Sequence, residues 1–143
     1  MSYYLAYGMN TNKIQMARRC PKSRSLGAVK LSGHKLAFKQ FCDALVSHDS
    51  SMDCVLWDIT PECERALDLL EGYPDFYGKK EVTVQYKGRR IRAMIYFMTD
   101  HTGSGYPSEH YLTMVTEGYL EHGVSVAQIE QALEDVDAHC YGT

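Results

Sequence analysis

Two runs of residues, Lys80 to Tyr86 and Arg89 to Met98, separated only by Lys87-Gly88, constrain the fold of this chain more than any other feature in it. Val82, Val84 and Tyr86 alternate with polar neighbours, the period of a strand with one buried face. A two-residue turn containing glycine joins adjacent antiparallel strands. At least one antiparallel pair is therefore built in, and the flanking segments add both strands and helices. Tyr3 to Tyr7 is an apolar and aromatic run, read as a central strand closed by Gly8. Thr11 to Arg19 reads as a short helix with Asn10 or Thr11 as its cap. It ends at Cys20-Pro21, because the residue before proline resists helical geometry. Leu26 to Phe41 reads as two strand segments around a bend at Ser32-Gly33-His34, Ser47 to Ser51 as a polar loop, and Asp53 to Ile59 as a strand.

Thr60-Pro61-Glu62 marks a helix start, with threonine at the cap, proline at the first helical position and an acid in the first turn. That helix presents Cys63, Leu67 and Leu70 on one face and stops at Gly72. A glycine-containing loop over Asp100 to Tyr106 leads to a helix capped by Ser108, which runs to about His122 and is stopped by Gly123. Ser125 and Gln128 have capping-box spacing for a last helix reaching about Ala138. The expected fold is α+β: a small mixed β-barrel or strongly bent sheet surrounded by helices, as a single domain over residues 1–143.

At 143 residues, 45% hydrophobic and 23% charged, the chain can bury one substantial core. A net charge of −3 gives no general attraction to nucleic acid or an anionic membrane. The basic cluster Arg89-Arg90-Ile91-Arg92 fits the solvent face of the second hairpin strand. No stretch approaches the length of a membrane span, and no basic-then-apolar leader opens the sequence. The five cysteines, Cys20, Cys42, Cys54, Cys63 and Cys140, are odd in number and lack C-x-x-C spacing, so they are expected to be reduced thiols in a cytoplasmic protein. The histidines form no pair at metal-binding spacing, and no Walker loop or Rossmann glycine fingerprint appears, so neither a metal nor another cofactor is expected.

Chemistry, if present, should then rest on a carboxylate and backbone donors. Glu71 is the candidate. At a helix C-terminus, between Leu69-Leu70 and Tyr73, both the helix dipole and burial would raise its pKa toward neutrality. The alternative is a plain solvated glutamate ahead of a C-cap glycine. Tyr7-Gly8-Met9-Asn10 offers a glycine turn at a strand end, where backbone N–H groups can face a ligand rather than a neighbouring strand, or simply an ordinary turn. Tyr77, Tyr106 and Tyr111 could present hydroxyls to a substrate, although a chain with eleven tyrosines uses several for packing.

Three ordered segments resemble the γ-glutamylcyclotransferase-like family: Tyr4-Leu5-Ala6-Tyr7-Gly8-Met9-Asn10, followed by Arg19-Cys20-Pro21; Leu67 through Tyr77, with Glu71 at the position of the family's catalytic glutamate; and Pro107-Ser108-Glu109-His110-Tyr111. Gly118 and His122-Gly123 also fit the family. The resemblance implies a cofactor-free reaction on a small-molecule γ-glutamyl amide, releasing 5-oxoproline and an amine or amino acid. It implies Glu71 as general acid and base, substrate held by Tyr4, Leu5, Ala6, Tyr7, Gly8, Met9 and Asn10, and orientation by Tyr77 and Tyr111. Met9 stands where the family motif has serine, which removes a hydroxyl and adds apolar bulk. The competing expectations are a non-catalytic module that binds a small metabolite or a partner on the same fold, and hydrolysis or transfer of another acyl amide. The oligomeric state is left open.

Overall fold

The computed structural model describes residues 2–100 and 103–141. Five strands and four helices follow in the order β1 (Ser2–Ala6), α1 (Lys13–Arg19), β2 (Arg24–Lys39), β3 (Phe41–Ile59), α2 (Pro61–Glu71), β4 (Tyr77–Tyr86), β5 (Arg89–Met98), α3 (Glu109–Glu121) and α4 (Ala127–Tyr141). The strands form one mixed sheet in the order β2-β3-β1-β5-β4. β1 lies at its centre, antiparallel to β3 and parallel to β5, which explains its aromatic and apolar composition. The hairpin has the register expected from its sequence, Tyr86 opposite Arg89, with Lys87 and Gly88 both at positive φ as a two-residue turn of this hand requires.

Of the two expected architectures, the open, bent sheet is the one formed, and no ladder closes it into a barrel among the described residues. The edge strands β2 and β4 approach each other without forming a ladder among the described residues, Lys80 Nζ lying 2.9 Å from His34 Nε2. The β4–β5 hairpin is tied to the start of β3 by the Met98 N–H donating to Asp43 Oδ1 (2.8 Å) and by the Tyr77 hydroxyl donating to the Cys42 carbonyl (2.8 Å). The core lies between this sheet and the helices, with Leu5, Met16, Phe38, Leu56, Leu67, Ile95, Val115 and Val136 almost wholly buried.

Several expectations are corrected. Asn10 and Thr11 belong to a 3-10 turn over Met9–Thr11, and Asn12 caps α1 instead, its Oδ1 accepting from the Ile14 and Gln15 N–H groups. The polar stretch Ser47–Ser51 lies within β3. There the ladder to β2 jumps from His34 opposite Val46 to Ser32 opposite Ser51, so the extra residues bulge outward without ending the strand. Ser125 does cap α4 through the Ala127 N–H, but Gln128 does not complete a capping box; it binds both backbone groups of Asp53 and the Tyr119 hydroxyl.

Leu70 is exposed while Cys63 and Leu67 are buried. The cysteines differ most: Cys20 and Cys63 form a disulfide joining the end of α1 to the first turn of α2, whereas Cys42 and Cys54 are free and buried. Two residues from helix-terminal positions 43 residues apart carry no pairing signal in sequence. The expectations for Cys140 and His101 lie outside the described side chains. Among the described residues no helix is long and apolar enough to cross a membrane, and no cluster of metal-ligating side chains occurs.

Candidate active site

Helix α2 carries Glu71 to its place. Thr60 Oγ1 accepts from the Cys63 N–H at 3.1 Å and Pro61 opens the helix, while Gly72 closes it in the left-handed conformation at φ 65°, ψ 36°. One turn before Glu71, Asp68 accepts from the Tyr96 hydroxyl (2.6 Å) and from Lys79 Nζ (3.0 Å). Lys79 also reaches Glu64 at 2.8 Å, so two turns of the helix are pinned to the hairpin. With its frame held on that side, the last residue points its carboxylate into a cavity of about 240 Å³.

The end of β1 forms the facing wall. Gly8 sits where a side chain would crowd its neighbours: a Cβ there would stand 3.0 Å from the Tyr111 hydroxyl and 3.1 Å from Cys42 Cβ. The following turn is anchored by Thr11, whose hydroxyl and N–H both donate to the Gly8 carbonyl (2.7 and 3.1 Å). Among the described residues no backbone acceptor pairs with the N–H groups of Gly8, Met9 or Asn10, the orphan donors of a helical first turn. From behind, α3 packs so closely that a Cβ on Gly118 would lie 2.1 Å from Thr11 Oγ1.

The polar groups of this wall converge on Glu71. Asn10 Nδ2 donates to the Tyr4 hydroxyl at 3.0 Å and lies 3.4 Å from Glu71 Oε1. Arg19 donates to Asn10 Oδ1 and, at 3.4 Å, to Met9 Sδ. Burial raises the Glu71 pKa from an ordinary 4.5 to about 7, against the opposing pull of the Arg19 guanidinium. Burial likewise pushes the Cys42 thiol up to about 12, so it is a neutral wall element.

Of the residues expected at a site, Tyr4, Leu5, Tyr7, Gly8, Met9, Asn10, Glu71, Tyr77 and Tyr111 all line this cavity. Ala6 does not; it is 1% exposed within the sheet. Tyr106 is exposed and stands apart from the lining. Tyr7 serves as a strut, its hydroxyl donating to the Tyr96 carbonyl and its carbonyl accepting from Tyr119, both at 2.7 Å. The Tyr77 hydroxyl proton is used on Cys42. Tyr111 accepts from the Cys42 N–H at 3.0 Å and also pairs with the Cys42 thiol. The further lining residues Arg19, Phe41, Cys42, Leu70, Phe76 and Tyr96 were not singled out from sequence. Leu70 and Phe76 flank Glu71 within one motif and could have been found there.

The sequence profile of the family described as "Gamma-glutamyl cyclotransferase, AIG2-like" matches residues 4–120, which span β1, the Glu71 helix and most of α3. The chain belongs to the γ-glutamyl cyclotransferase, AIG2-like family. A solved "Gamma-glutamyl cyclotransferase" shares the fold at TM-score 0.81 and 23% identity, over 92% of this chain and 86% of that one. An uncharacterised human protein gives the same TM-score and coverage at 24% identity. YkqA from Bacillus subtilis superposes at 0.79 and 19% identity, over 96% of this chain but 54% of its own length. At these identities the structural likeness speaks for the fold. No curated protein matches the sequence. The open five-stranded sheet with flanking helices is thus the fold this γ-glutamyl cyclotransferase family member shares with its structural neighbours.

Proposed function

We propose that this protein is a cyclotransferase that cleaves γ-glutamyl amides without a cofactor, releasing 5-oxoproline and the departing amine or amino acid. The observation that carries this reading is the Glu71 carboxylate, half-buried, with a pKa near 7 and 3.4 Å from Asn10 of the glycine turn. Membership of the γ-glutamyl cyclotransferase, AIG2-like family supports it.

In this scheme the α-ammonium of the substrate gives a proton to Glu71. The freed amine then attacks the γ-carbonyl carbon of the same glutamyl group. The resulting oxyanion is held by the unpaired N–H groups of the Gly8–Asn10 turn. The attacking nitrogen loses its second proton as the ring closes, and collapse breaks the bond to the departing nitrogen, which takes the proton held by Glu71 and leaves as the ammonium. Because nucleophile and carbonyl belong to one molecule, ring closure needs little beyond correct positioning, which Tyr111 and the glycine turn provide. A carboxylate with a pKa near 7 is poised to take and return a proton at neutral pH, whereas a pocket that only bound a metabolite would gain nothing from burying one.

Product identity tests the reading. Incubation with γ-glutamyl-alanine, glutathione and γ-glutamyl-ε-lysine, followed by mass spectrometry, should yield 5-oxoproline. Free glutamate in its place would mean hydrolysis, and intact substrates throughout would indicate a binding module.

A further inference from the structure

Resting on the cyclotransferase reading, we infer that the preferred substrates are γ-glutamyl amides whose departing group is apolar, and best of all aromatic, received by Phe41, Leu70 and Phe76 at the cavity mouth. These three lining side chains are 43%, 47% and 47% exposed, large apolar groups left open to solvent beside the carboxylate. The two phenylalanines are also held in place. Phe41 packs edge-on against Tyr111 (ring centroids 5.4 Å apart) and against Phe76 (6.2 Å), and Phe76 packs edge-on against Tyr77 (5.3 Å). An aromatic wall already ordered by its neighbours receives an apolar group with little further loss of side-chain freedom. Met9 adds a polarisable thioether to the same lining.

Charge at the mouth points the same way. Only Arg19 and Glu71 carry charge among the lining residues. Glu71 is engaged in proton transfer, and Arg19 repels a second cation. Asp43, next to Cys42, is buried and neutralised by Lys39 at 2.9 Å. Asp75, beside Phe76, is exposed and outside the lining. A departing group bearing its own ammonium, such as a diamine or the lysine side chain, would lose hydration against phenyl rings and meet no carboxylate but Glu71 among the described lining residues.

Calorimetric binding to the Glu71→Gln protein separates this preference from turnover. The panel is γ-glutamyl-phenylalanine, γ-glutamyl-alanine, and the near-isosteric pair γ-glutamyl-pentylamide and γ-glutamyl-putrescine. The pentylamide should bind at least about tenfold more tightly than the putrescine amide, and the phenylalanine amide about tenfold more tightly than the alanine amide. Phe41→Asp and Phe76→Asp, both at exposed positions, should cut the pentylamide-to-putrescine ratio at least about fivefold. Equal or reversed affinities in the isosteric pair, or equal weakening of all ligands by the aspartate variants, would overturn the inference. Parallel assay of 5-oxoproline with the unsubstituted protein keeps the two readings apart. Selective binding without 5-oxoproline from any amide would sink the reaction and keep the apolar subsite; 5-oxoproline released with no apolar preference would sink the subsite and keep the reaction. Failure of every amide to bind would overturn both.

Discussion

Glu71 concentrates the electrostatics of the site, and its two perturbers make separate predictions. With a pKa of about 7 set chiefly by burial, kcat/KM should rise about tenfold per pH unit below neutrality and level off above it, because the base must be ionised. A limb centred near 4.5 would show that the carboxylate is solvated. The sign for stability is opposite. The folded state holds this proton more tightly than the unfolded chain, so the stabilisation is fully present below about 4.5 and is lost as the pH rises through about 7. Arg19 opposes burial, so Arg19→Gln should move the limb to higher pH; a limb that stays put or falls would remove Arg19 as the electrostatic partner. The place of Glu71 at a helix end was legible in the sequence, because a C-cap glycine fixes that end locally. Arg19 and Phe41 were not, because only the fold brings α1 and the start of β3 to that carboxylate.

Elements with chemically specified ends were equally legible. Thr60-Pro61 and Gly72 bound α2, Ser108 and Gly123 bound α3, and each cap acts within a few residues of itself. Ser47–Ser51 misled because polarity reports exposure of side chains, whereas strand continuity depends on a partner distant in sequence. Packing between elements shows the same dependence. Gly118 lets α3 press on the turn that follows Gly8, a contact visible only once both are placed. Gly118→Ala should therefore push the turn away from Glu71, lowering kcat/KM and destabilising the fold by about 1–3 kcal/mol, read as a lower urea midpoint. An unchanged midpoint with full activity would show that the turn is free to move.

Across the whole molecule, the bent sheet brings β1 and the start of β3 to one side of the cavity, and α2 supplies the carboxylate from the other. The Cys20–Cys63 bridge joins the two helices that carry Arg19 and Glu71. Closing a loop across 43 residues restricts the unfolded chain, so Cys20→Ser should cost about 2–4 kcal/mol relative to the oxidised protein. Equal urea midpoints for the variant and the untreated protein would mean that the bridge is not formed in solution. Composition suggested reduced thiols because cysteine counts carry no information about which two side chains the fold will bring together. The central claim, that Glu71 performs the proton transfers of γ-glutamyl cyclisation, is tested most directly by the rate of 5-oxoproline release from γ-glutamyl-phenylalanine by the native and Glu71→Gln proteins at pH 8, with folding confirmed by circular dichroism. The account predicts a fall of roughly a hundred- to ten-thousand-fold in the folded variant, and a rate within a few-fold of native would contradict it.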